Sequence, residues 1–119
     1  MRPEALVELF FPEGLLKEFD VVRVETTRDE ITVHLDEKAV HPELTPDQKA
    51  KGFYSKGFTD AAEVLDFPIR DRLCRLMVRK RKWKVNGEKK LLMRPIELNE
   101  PETRYTKGFA AFLKEAGGA

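Results

Sequence analysis

A chain of 119 residues with 41% hydrophobic and 36% charged content can bury one modest core, which excludes a wholly disordered chain and points to a single domain. No stretch approaches the roughly 20 apolar residues of a membrane span, the acidic N-terminus lacks a signal-peptide layout, and the lone Cys74 rules out an internal disulfide or a zinc framework; a cytoplasmic protein with no membrane partner is expected. The net charge of +1 conceals segregation: residues 1–69 hold 8 Lys/Arg against 15 Asp/Glu, residues 70–94 hold 11 against 2, and residues 95–119 hold 3 against 4, a polarity that points to a polyanion partner.

In chain order, Leu6, Leu9 and Phe10 stand at helical spacing, Pro12 and Gly14 interrupt, and Leu15, Leu16 and Phe19 resume, which predicts two short helical pieces. From Val21 the period changes to two. VVRVE, the turn-like TTRDE and ITVHLD predict an antiparallel hairpin, with Ile31, Val33 and Leu35 alternating against Thr32, His34 and Asp36. Residues 37–64 mix proline, glycine and charge without a sustained period, and read as an irregular excursion with one helical turn.

An apolar signal returns in VLDFPI, where Pro68 marks an edge strand or its end. A long strand is predicted over 73–85, with Cys74, Leu76 and Val78 on one face and Met77 and Trp83 on the other. Asn86-Gly87 then predicts a two-residue type I′ hairpin turn. That register sets Lys84 opposite Lys89, Trp83 opposite Lys90, Lys82 opposite Leu91 and Arg79 opposite Arg94. Two of these pairs oppose like charges, which destabilises a sheet by up to about 1 kcal/mol each. Last, Thr106 reads as the N-cap of an amphipathic helix carrying Tyr105, Phe109, Phe112 and Leu113 on one stripe. The whole is a small α+β domain, divisible into an acidic helix and hairpin part (1–36), the excursion (37–64), and a basic hairpin with the C-terminal helix (65–119).

The concentration of cations in RKRKWK, residues 79–84, suits nucleic acid: a two-stranded ribbon fits the major groove of B-DNA, and lysine and arginine contact its phosphates. The candidate DNA contacts are Arg79, Lys80, Arg81, Lys82, Lys84, Lys89, Lys90 and Arg94, with Arg104 and Lys107 extending the surface at the start of the helix. The same cations on a solvated edge would discourage pairing between molecules, a purely structural role. Trp83 reads as a packing residue rather than a stacking platform. His34 and His41, seven apart with one cysteine elsewhere, have no metal-ligand spacing. With no nucleophile motif, phosphate loop or singled-out acid and base pair, neither an enzyme nor a cofactor is expected. The phenylalanines of FFPEGLLKEF and FAAFLKE read as core.

Several blocks together resemble a known family. The DFPIR box at 66–70 followed by RKRKW at 79–83, TRYTKGFAAFLKE at 103–115, and more weakly FPEGLL at 11–16, look like the N-terminal region protein of bacterial insertion-sequence transposases of the ISAon family. The resemblance spans most of the chain. It implies a non-catalytic DNA-binding role at transposon ends, with catalysis on a separate transposase subunit that is the second implied partner. Asp71 stands where the family usually has glycine, and LLMRPIELNEPE replaces a tryptophan-containing strand. The alternative function is a protein-interaction module that docks the catalytic subunit through the C-terminal helix and the acidic half; RNA in place of DNA is a third reading.

Overall fold

The computed structural model describes residues 14–117, and the first helical piece, with Leu6, Leu9 and Phe10, lies outside the described residues. A short helix α1 (Leu15–Glu18) leads into β1 (Phe19–Thr26) and β2 (Glu30–Glu37), followed by α2 (Pro46–Lys51), β3 (Phe53–Phe58), β4 (Ala62–Ile69), β5 (Arg72–Arg79), β6 (Arg81–Val85), β7 (Leu91–Leu92) and α3 (Lys107–Ala116). The strands form two sheets, one ordered β1-β2-β5-β4 and the other β3-β6-β7. This is a small α+β fold, as expected. No described helix is long and apolar enough to cross a membrane.

The first hairpin follows the period-two reading. β1 and β2 pair antiparallel with Val24 opposite Val33, and Val33 and Leu35 are buried in the main core with Phe19, Val64, Cys74, Leu76 and Val78. Burial pushes the Cys74 thiol up to about 12.

At the centre of this sheet β2 and β5 pair in parallel, with Thr32 opposite Arg75 and Asp36 opposite Arg79. Parallel pairing requires a crossover between the two strands, and residues 38–71 supply it, contributing β3 to the second sheet and β4 to the first. The solvent face of this pairing explains the register electrostatically. Asp36 accepts both Nε and Nη2 of Arg79 at 2.7 and 2.6 Å, and Arg75 lies 2.9 Å from Glu30 and 3.2 Å from Glu63.

The predicted strand over 73–85 is two strands in different sheets. They meet at Lys80, whose N–H donates to Thr59 Oγ1 at 3.0 Å and whose carbonyl accepts from Thr59 N–H at 2.8 Å. Glu37 pins the next residue, its buried Oε1 accepting the Arg81 N–H at 3.0 Å. Side-chain alternation cannot reveal a break made by these distant partners.

The excursion over 37–64 holds more order than expected. Thr45 and Gln48 close a reciprocal cap on α2, each accepting the other's backbone N–H, with Pro46 starting the helix. Then β3 pairs with β6, Phe53 opposite Val85 and Ser55 opposite Trp83, before a bulge at Lys56. Gly52 makes the junction possible: its φ is +86°, and a Cβ there would lie 2.8 Å from the Asn86 amide nitrogen.

Asn86-Gly87 does form a turn, with Glu88 N–H donating to Val85 O at 3.0 Å, but only Gly87 of the two has positive φ. That is the type II pattern rather than type I′. The cause is tertiary, because Asn86 donates its N–H to Gly52 O at 2.9 Å and its amide to Lys51 O at 3.1 Å. Pairing resumes only at Lys84 with Leu91 and Trp83 with Leu92, two residues away from the expected register. The opposed like charges therefore do not exist. Instead, a tight turn with positive φ at both central residues lies at Arg70 (49°) and Asp71 (66°), with Ile69 opposite Arg72.

As expected, Thr106 caps α3, accepting Phe109 N–H at 3.4 Å while its hydroxyl donates to buried Asp66 at 2.8 Å. Bonds from Leu65 N–H to Arg104 O and from Thr106 N–H to Leu65 O lay residues 104–106 along the outer edge of β4.

Candidate nucleic-acid interface

The ten cations singled out in the sequence divide into two groups. The arginines are committed within the chain. Besides its bidentate contact with Asp36, Arg79 stacks over Phe58 at 4.5 Å, and Arg81 does the same. Arg81 also donates to Glu37 O at 3.3 Å and Ser55 Oγ at 3.0 Å. Arg94 donates to Glu18 at 2.6 Å and lies 3.9 Å from the second oxygen of Glu37. Arg104 pairs with Glu63 at 3.2 Å. Lys80 is turned inward as well, its Nζ on Arg94 O at 2.9 Å.

These contacts register in the carboxylates. The hydrogen bonds from Arg79 hold Asp36 below its ordinary range, and the one from Arg94 does so for Glu18. Three of the eleven cations of residues 70–94, Arg75, Arg79 and Arg94, thus ion-pair with carboxylates from the acidic half of the same molecule. Segregation along the sequence becomes pairing in space.

Lys82, Lys84, Lys89, Lys90 and Lys107 have no carboxylate within ion-pair distance among the described residues. The first four are on β6 and the loop after it, whereas Lys107 begins α3 beside β4. Side chains alternate along β6: Arg81, Trp83 and Val85 point to one face of the second sheet, Lys82 and Lys84 to the other. The first face is closed by packing. Trp83 is 7% exposed, with Phe53 at 6.2 Å and His41 at 6.3 Å between ring centres, and Leu44 is buried nearby in sequence to His41. Trp83 is a packing residue, as expected.

The second face carries Lys82 and Lys84. Cross-strand partners share a face, so Lys84 is flanked by Tyr54 on β3 and Leu91 on β7, both 43% exposed. Lys56, also exposed, is the extra residue of the bulge opposite Lys82. Tyr54 and Lys56 are the members that sequence reading missed. Their signal was the alternation in FYSKGF, masked by Gly52 and Gly57, both at positive φ.

Elsewhere, His34 is a surface histidine, its Nε2 2.6 Å from Glu25 and 3.2 Å from Arg23. His34 and Arg23 face a depression shared with Asp36, Met77 and Arg79. Compared with known proteins, the chain matches no family model, no curated protein and no solved structure.

Proposed function

We propose that this chain is a non-catalytic DNA-binding module acting in the cytoplasm, and that it contacts phosphates through the lysine face of its second sheet. The observation that carries this reading is the division of the cations. Arg79, Arg94 and Arg104 are paired with the chain's own acids and Arg81 is held by Glu37 O and Ser55, whereas among the described residues Lys82 and Lys84, on one face of β6, and the exposed Lys89 and Lys90 on the loop that follows have no carboxylate partner. The assignment to an insertion-sequence transposase, with transposon ends as the DNA, is supported by the sequence resemblance alone.

Fluorescence-anisotropy titration of labelled DNA over a salt series tests it. The variant with Lys82, Lys84, Lys89 and Lys90 changed to glutamine is expected to keep its thermal midpoint, bind more weakly, and show a salt slope shallower by about 3, since each phosphate contact contributes roughly 0.7–0.9 to the slope. Binding that is absent at low salt, or unchanged in this variant, overturns the reading.

One observation favours the alternative, a module docking a catalytic transposase subunit. Phe67, Phe112 and Leu113 are 41%, 53% and 37% exposed where α3 meets β4, and the Phe67 and Phe112 rings are 5.5 Å apart. A chain that ignores DNA yet binds a purified catalytic subunit through this patch would be the docking module.

A further inference from the structure

We infer that the lysine face takes single-stranded nucleic acid, with one base stacked on Tyr54; the inference rests on the nucleic-acid reading above and narrows its ligand. A major-groove reader needs an element that stands proud of the fold. The turn that would lead such an insertion is folded back, with Asn86 bonded through its N–H and its amide to Gly52 and Lys51. Beyond the turn β7 pairs at only two positions, so no extended ribbon projects. What remains is the outer face of a three-stranded sheet.

The composition of that face matches a strand laid across it. Tyr54 is 43% exposed, pairs with no aromatic ring among the described residues, and sits directly beside Lys84. An aromatic ring set among cations supplies both elements of single-strand binding, a platform for a base and charge for the backbone. Lys82 and Lys84 are two residues apart on one strand, about 6.7 Å at the usual rise, a spacing suited to successive phosphates of an extended chain. Leu91, on the other side of Lys84, adds apolar area against which a neighbouring base or sugar can rest. The unpaired cations here are lysines, point charges that follow phosphates, while the forked guanidinium groups that read guanine edges are occupied elsewhere.

The test compares a labelled oligothymidylate with a mixed-sequence duplex of the same length, using the full chain and its Tyr54→Ala and Tyr54→Phe variants. The single strand is expected to bind at least about tenfold tighter than the duplex. Tyr54→Ala should weaken single-strand binding by about 5- to 150-fold, the range seen on removing one stacking ring, and leave the salt slope unchanged. Tyr54→Phe should retain near-native affinity, which a merely misfolded face would not do. Equal or tighter duplex binding that is indifferent to Tyr54→Ala but weakened by the lysine-to-glutamine changes overturns the single-strand inference and leaves the DNA-binding reading standing. Failure to bind either probe at low salt overturns both.

Discussion

Arg70 and Asp71 both hold positive φ between β4 and β5, a conformation that glycine adopts readily, asparagine and aspartate tolerate, and a residue such as Arg70 does not. Both side chains are exposed and neither forms an ion pair among the described residues, so the strain has no local compensation. The chain therefore makes its type I′-like turn at a pair of which only Asp71 suits it, while Asn86-Gly87, which suits it at both positions, is drawn into a different turn by Gly52 and Lys51. Replacing Arg70-Asp71 with Asn-Gly is expected to stabilise the protein by about 1–2 kcal/mol, the cost of holding ordinary residues in the left-handed region. Urea denaturation measures it, and an unchanged midpoint would mean that these backbone angles carry no strain.

Among the elements, the parallel contact of β2 with β5 joins the acidic and basic parts of the chain. Asp36 and Arg79 lie opposite each other in that register. Because Arg79 holds the Asp36 carboxyl below its ordinary value in the folded protein, the pair's contribution is present above the unfolded pKa near 4 and is lost as pH falls through the lower folded value. The Asp36→Asn variant should therefore be less stable than the native chain at pH 7, with the difference closing below about pH 4. Denaturant midpoints measured across that range check it. A gap that persists at low pH would assign the effect to packing instead.

At the scale of the whole molecule, Glu37 and its arginines join the two sheets. Glu37 is fully buried where β2 ends, and it bonds Arg81 just after the chain leaves the first sheet. Arg94 reaches the same carboxylate and Glu18 together. Arg94→Gln is expected to destabilise the protein by about 1.5–3 kcal/mol, the usual contribution of a hydrogen bond to a charged group. The lysine-face variant should show no such loss in the same thermal melts. Equal destabilisation of the two variants would contradict the division between structural arginines and free lysines.

Local chemistry was enough to read several parts of this fold: the first hairpin, the buried face of Cys74, Leu76 and Val78, the packed Trp83, and the Thr106 cap of α3. Each depends on side-chain alternation or on a bond between residues close in sequence. A helical turn within 37–64 was expected but not located, although the Thr45 and Gln48 cap of α2 is local. Strand β3 was not legible, since its two positive-φ glycines hide an alternation that matters only once β6 lies beside it. Nor does a sequence reveal that Thr59 and Glu37 split one basic run between two sheets. The interface shows the same division: composition exposed the surplus of cations, but only the tertiary structure decided which ones remain available. Arginine and lysine look alike along a chain; whether each meets a carboxylate depends on strands brought together from more than 40 residues away, as Asp36 and Arg79 are.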